Sequence, residues 1–155
     1  MLDRERILVR VDRLEGYLRD LRQLVPESFE EYLDVKTRRA CERLLQLAIE
    51  SVTDVCALLV AGLRLGLPNH ESDVFTALGD ANVLSSPVVE ILRQMRGMRN
   101  ILIHDYLDVD NQLVYQVLSS QLNDFDAFVG EVVQSVGRPW GFVAPIAIGV
   151  ARRVS

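Results

Sequence analysis

Apolar residues recur in the first part of the chain with the spacing of one face of an α-helix. From Ile7 to Leu21 they come alternately four and three residues apart, with charged residues between them. This period predicts an amphipathic helix that ends before Pro26, because proline cannot continue a helix. The following segment, PESFEEYLDV, predicts a connector with at most a short helical turn.

A longer helical pattern begins near Val35 and continues to about Leu65. No Pro or Gly interrupts it before Gly62, and its length is typical of the central helix of a bundle. Residues 66–69 predict a stop followed by a turn, and residues 73–78 predict a short helical piece.

Two further helices are predicted in the second half of the chain. Ser85 and Ser86 precede Pro87, which gives a cap and a proline at the first helical position. Residues 114–132 keep one continuous helical period and predict a last helix, which closes near Gly137. Because the sequence shows no period-two alternation, we predict an all-α fold, an antiparallel bundle of four main helices plus short helices.

Composition and charge narrow the choice of architecture and partner. With 155 residues, 49% apolar and 25% charged, the chain can build one well-buried core, and we assign residues 1–136 to a single domain. Residues 137–155 form an apolar tail with two prolines, which we expect to pack on the bundle or across a dimer. The net charge of -5 argues against broad adhesion to nucleic acid or anionic lipid, so any RNA contact must be local.

The cysteines and the two ends of the chain indicate the cellular compartment of the protein. Cys41 and Cys56 lie on one predicted helix, about 22 Å apart along its axis, which is too far for a disulfide. Isolated thiols without a CxxC motif are typical of a reducing compartment. The charged N-terminus is unlike a secretory signal, and the apolar segment 141–151 is about half as long as a membrane span. We therefore expect a cytoplasmic protein with no membrane association.

The stretch RNILIHDY, residues 99–106, collects chemically active side chains at the end of the predicted helix that starts at Pro87. At about 100° per residue, several polar side chains lie opposite the methionines that face the core. These are Arg93, Arg96, Asn100 and His104. Arg99 lies on the flank of the apolar face, about 140° from His104. A site that uses both residues needs either a distorted helix near His104 or cooperation across a dimer interface.

Structural explanations for the same residues are also open. Arg99 could pair with an acidic neighbour, with Glu50 or Asp54 of the central helix as candidates, while His104 simply ends its helix. His70 has no second ligand at helical spacing, and the Glu-x-x-His pairs of a di-metal bundle are absent from the sequence. We therefore predict neither a metal site nor a cofactor.

The motif R-x4-H-x-Y, formed by Arg99, His104 and Tyr106, resembles that of HepT-like toxins, small helical ribonucleases of the HEPN superfamily. The similarity runs from about Leu2 to Val133. It includes the segments YLDVKTRRACERLLQLAIESVTDVC, GLPNHESDVFTALGDANVLSS and RQMRGMRNILIHDYLDVD. The tail from Gly137 departs from the family pattern. The resemblance implies a HEPN-like bundle and the ribonuclease toxin of a type VII toxin–antitoxin system.

The resemblance also implies the chemistry. RNA, with tRNA as one candidate substrate, would be cleaved without a metal by attack of a ribose 2′-OH on the adjacent phosphate. His104 would move a proton, because histidine exchanges protons near neutral pH. Arg99 would hold the phosphate and offset charge in the transition state. Asn100 and Asp105 are implied in supporting roles beside His104.

The implied partners are a second copy of the chain and an antitoxin. In the homodimer, two motifs would face one cleft and concentrate Arg93 and Arg96 from each chain as RNA-phosphate contacts. The antitoxin would be an MntA-type minimal nucleotidyltransferase that transfers AMP to Tyr106, which adds negative charge where RNA must approach. The alternative is a non-catalytic HEPN binding subunit that serves a nucleotidyltransferase, although the intact motif favours the ribonuclease.

Overall fold

A computed structural model of the chain describes residues 2–67, 69–104 and 107–137. These residues contain seven helices and no strand. The helices are α1 (Arg4–Leu24), α2 (Phe29–Tyr32), α3 (Val35–Gly62), α4 (Glu71–Asp80), α5 (Ser86–His104), α6 (Asn111–Ser120) and α7 (Asn123–Val136). The predicted all-α bundle is confirmed. Asp105, Tyr106 and residues 138–155, with the packing expected of the tail, lie outside the described residues.

The two longest helices, α1 and α3, run antiparallel. α1 begins at Asp3, whose carboxylate accepts a hydrogen bond from the Arg6 N–H at 3.0 Å. At the far end of α3, Gly62 meets Leu2 so closely that a Cβ on Gly62 would lie 2.9 Å from the Leu2 Cα. The start of α1 therefore packs on the end of α3, and glycine is the residue that permits this approach.

The single last helix predicted for residues 114–132 is wrong, because the chain breaks there into α6 and α7. The Ser119 hydroxyl donates to the Tyr115 carbonyl at 2.8 Å, and the Ser120 hydroxyl donates to the Gln116 carbonyl at 2.6 Å. Ser51 and Thr53 make the same type of bond inside the unbroken helix α3, so these bonds do not by themselves end a helix. The apolar residues keep their helical spacing through the break, so periodicity alone could not show it.

Helix α5 is fixed at its start by α7. The backbone N–H and the hydroxyl of Ser85 both donate to the Glu131 carboxylate, at 2.7 Å each. The Ser85 hydroxyl in turn accepts a weak bond from the Val88 N–H at 3.4 Å, as the predicted cap requires. The residues of α5 buried in the core are Val88, Val89, Leu92, Met95, Met98 and Leu102. These contacts hold α5 in place and leave its polar side chains outside the core.

Among the described residues, α3 alone is long and apolar enough to cross a membrane by length and composition. Half of its most apolar window (50%) is buried in the bundle, as is usual for a core helix. Cys41 and Cys56 are free and buried on α3, and burial raises the pKa of both thiols. Both thiols are therefore part of the packed core.

Candidate active site

Helix α5 is a continuous α-helix from Ser86 to His104, so the angular positions predicted for its side chains apply. Arg93, Asn100 and His104 lie within about 40° of one another around its axis. Arg96 borders them, and we call the four residues the basic stripe. Arg99 is about 140° from His104. The distortion considered above, which would bring Arg99 and His104 to one side of the same helix, does not occur before His104.

The basic stripe is accessible from outside the protein. Arg93 and His104 are exposed, and Arg96, Arg99 and Asn100 are half-buried. Within the described part of the chain, no residue forms a hydrogen bond or an ion pair with the side chain of Arg99 or of His104. Both side chains can therefore meet a ligand without first breaking a contact to another described residue.

The acidic partner predicted for Arg99 is not there. Asp54 Oδ2 lies 3.0 Å from Nη1 of Arg10, in an ion pair between α3 and α1. Glu50 accepts a hydrogen bond from the Gln46 amide at 2.9 Å. The alternative that Glu50 or Asp54 pairs with Arg99 is therefore wrong, because both carboxylates bind other side chains and neither forms an ion pair with Arg99.

At the other end of the basic stripe, Arg93 is held by α4. Its Nη2 donates to the Thr76 hydroxyl at 3.1 Å, and its Nη1 lies 3.9 Å from the Glu90 carboxylate. The two helices enclose a cleft of about 200 Å³, lined in part by Thr76, Ser86 and Arg93. Thr76 was missed in the sequence, because the position on α4 that faces Arg93 depends on how the two helices pack.

A different surface adjoins the basic stripe along α5. A groove of about 440 Å³ runs between α3, α5, α6 and α7. We call it the apolar groove, and its walls include Ile91, Gln94, Met98, Ile101, Leu113 and Val117. Leu113 is 39% exposed there. Partial burial raises the pKa of Asp124, the acidic residue in the wall.

Metal ligands do not cluster in the described residues. No group of three or more His, Cys, Asp or Glu side chains there could hold an ion. His70, the other histidine, precedes α4, where its backbone N–H donates to the Asp73 carboxylate at 3.2 Å. The motif residues on α5 therefore remain the candidates for chemistry.

The sequence was compared with known families and proteins. The family model described as ribonuclease HepT-like matches residues 14–132. The chain is 33% identical over 85 residues to the mRNA nuclease HepT of Shewanella oneidensis, an alignment that spans 55% of this chain and 64% of that protein. It is 26% identical over 127 residues to the tRNA nuclease HepT of Aphanizomenon flos-aquae, across 81% of this chain and 86% of that protein.

A solved structure with the same fold is a triply AMPylated HEPN toxin of Shewanella oneidensis in complex with an MNT antitoxin. The superposition has a TM-score of 0.78 at 25% identity, and it covers 86% of this chain and 99% of that toxin. The comparisons confirm the predicted resemblance and, at the level of the family, the predicted ribonuclease class. The roles of Arg93, Arg96, Arg99, Asn100 and His104 on α5, and of Asp105 and Tyr106, stay predictions.

Proposed function

The chain belongs to the ribonuclease HepT-like family, and we propose from this membership that it is the RNA-cleaving toxin of a type VII toxin–antitoxin system. The match covers α5 and the whole R-x4-H-x-Y motif, which is the observation that carries the proposal. Relatives named as an mRNA nuclease and a tRNA nuclease support an RNA substrate. A cytoplasmic location, where both kinds of RNA are found, follows from that substrate.

The catalytic site is shared by two copies of the chain. Since α5 is regular to His104, one helix presents Arg99 and His104 on different sides. A homodimer in which two α5 helices face one cleft brings Arg99 of one chain towards the partner subunit's His104. The same cleft gathers Arg93 and Arg96 from both chains, which gives local positive charge to a protein with a net charge of -5.

Cleavage in this cleft needs proton transfer and phosphate binding, which these side chains supply. A ribose 2′-OH loses its proton to a base and attacks the adjacent phosphorus, and the 5′-oxygen leaves with a proton from an acid. His104 serves this proton transfer. Arg99 binds the non-bridging phosphate oxygens, on which negative charge grows in the transition state. The products are a 2′,3′-cyclic phosphate and a 5′-hydroxyl, and no metal takes part.

The remaining motif residues have supporting roles. Arg93 and Arg96 bind phosphates of the RNA on either side of the cleaved bond. Asn100 lies on the same side of α5 as His104, where its amide can orient the imidazole or donate to phosphate. Asp105 follows His104 in the sequence and tunes its proton transfer.

The antitoxin acts on Tyr106. We assign it as an MntA-type minimal nucleotidyltransferase that transfers AMP to the phenolic hydroxyl. The solved complex of an AMPylated HEPN toxin with an MNT antitoxin supports this kind of partner. AMP on Tyr106 adds bulk and negative charge two residues from His104, which repels the phosphate that must reach Arg99.

Mixing two inactive variants tests the shared site. His104→Ala and Arg99→Ala should each be inactive alone, because each removes a required group from both sites of its own homodimer. Random exchange should restore about a quarter of the wild-type activity, since half of the dimers are mixed and each mixed dimer keeps one intact site. The assay should contain EDTA. No recovery in verified mixed dimers would contradict the shared site, and activity of either variant alone would contradict the residue roles.

Co-expression with an MntA-type nucleotidyltransferase tests the switch. The peptide that contains Tyr106 should gain the mass of one or more AMP units, and Tyr106→Phe should gain none. Tyr115→Phe is the control and should leave the AMP transfer to Tyr106 unchanged. The Tyr115 hydroxyl donates to the Pro26 carbonyl at 2.9 Å and is engaged in the fold. An unmodified Tyr106 in a fully neutralised sample would instead mean inhibition by binding alone.

A further inference from the structure

The apolar groove leaves aliphatic side chains on the surface of the bundle. Leu113 is 39% exposed, and Ile91, Ile101 and Val117 are only partly buried. Each Å² of such surface removed from water contributes roughly 25 cal/mol. A segment that covers the groove would therefore stabilise the protein, and its chemistry must be apolar.

The end of the chain has the composition that this surface requires. Residues 138–155 contain Trp140, Phe142, Val143, Ile146 and Ile148, with prolines that disfavour a helix and favour an extended backbone. They include three arginines and no acidic residue, so the rest of the chain has a net charge of -8. Opposite charge favours association of the tail with the bundle.

The position and the length of residues 138–155 also fit the apolar groove. The end of α7 lies at the start of α5, because the Ser135 hydroxyl donates to the Val83 carbonyl at 3.0 Å and Glu131 binds Ser85. From Ser85, the groove residues Ile91 to Ile101 lie about 9 to 24 Å along the axis of α5. An extended segment covers that distance with fewer than about ten residues, and the tail has a reach of up to about 60 Å.

We propose that residues 138–155 fold back along α5 of their own chain and fill the apolar groove. The family match ends at residue 132, so this segment is an addition of this chain to the shared bundle. The groove wall adjoins the basic stripe at Gly97, which lies about 20° from His104 around α5 and two turns before it, whereas Gln94 in the wall and Arg96 lie about 160° apart. The inference does not depend on the proposed function.

The tail contains its own reporter, since Trp140 is the one tryptophan of the chain. In the native full-length protein its emission should lie at shorter wavelength than in the same chain unfolded in urea. Acrylamide should also quench it less. Leu113→Arg, which places a cation in the groove, should shift the emission to longer wavelength without loss of helical circular dichroism.

Leu63→Arg is the matched control, because Leu63 has the same 39% exposure but follows α3, away from the groove. It should leave the emission unchanged. Gln94→Arg, at an exposed position in the groove wall, provides a second groove variant should Leu113→Arg lose its helical signal.

Three results would overturn the proposal. Native emission equal to that of the unfolded chain would place the tail in solvent. A short-wavelength emission that survives both groove variants would place it elsewhere on the bundle. An emission that moves to longer wavelength when the protein is diluted to monomers would mean that a partner subunit supplies the docked tail.

Discussion

The basic stripe and the apolar groove lie on adjoining sides of one helix, and they differ in what their residues do for the fold. Arg93 and His104 are exposed, and the described contacts of Arg93 are with Thr76 and Glu90 outside the core. On the other side, Met98 is only 8% exposed and contributes to both the core and the groove. We therefore expect chemistry and stability to depend on different faces of α5 and to respond separately to substitution.

The largest effect on RNA cleavage should come from a substitution in the basic stripe. His104→Ala should lower RNA cleavage by about 10²- to 10⁴-fold, because it removes the group that transfers protons. The midpoint of urea unfolding should stay the same, since His104 is exposed. Gln94→Ala, at an exposed position of α5 about 80° from His104 and outside the basic stripe, is the control and should retain full activity. Equal activity of the two variants would break the proposed division between the faces.

The opposite result is expected from the buried face. Leu102 is 7% exposed, and Leu102→Ala should lower the free energy of unfolding by about 2 to 5 kcal/mol through lost burial and a cavity. Chemical denaturation measures this change. At low temperature, where the variant remains folded, cleavage should persist because Leu102 faces away from the cleft. A loss of activity with full stability would mean that the core face also takes part in chemistry.

The smallest effect is expected from the loss of a single arginine of the basic stripe. Arg93→Gln should weaken RNA binding and lower the slope of log affinity against log salt by about 0.7, the value for one phosphate contact on a single strand. Titrations at several salt concentrations provide the measurement. Arg19→Gln, at an exposed site on α1, is the matched loss of charge and should leave the slope unchanged. An equal change in both variants would mean that Arg93 contributes only through the net charge of the protein.

Local patterns were sufficient to predict much of the fold. Amphipathic periodicity placed α1, α3 and α5, and the Ser-Ser-Pro sequence located the start of α5 to within a residue. The break between α6 and α7 was missed, because the apolar spacing continues through it. A pattern of hydrophobic positions reports which face is buried, but it does not report whether the backbone is continuous.

The candidate site was predictable where it depends on one helix and less so where several helices meet. The angle between Arg99 and His104 follows from the helical repeat alone. The bond from Arg93 to Thr76 and the ion pair of Asp54 with Arg10 depend on how helices pack. The apolar groove was not predicted either, because its walls come from four helices that are distant in sequence.

The regular geometry of α5 has a consequence for how RNA cleavage depends on the amount of protein. If one chain cannot bring Arg99 and His104 to the same phosphate, an isolated copy is harmless, and only assembled pairs cut RNA. Well below the dissociation constant of the dimer, the number of pairs rises with the square of the number of chains. A low level of synthesis then leads to little RNA cleavage, whereas a large increase in synthesis raises cleavage by more than the same factor. The straightness of one helix would set the amount of protein at which a cell begins to suffer.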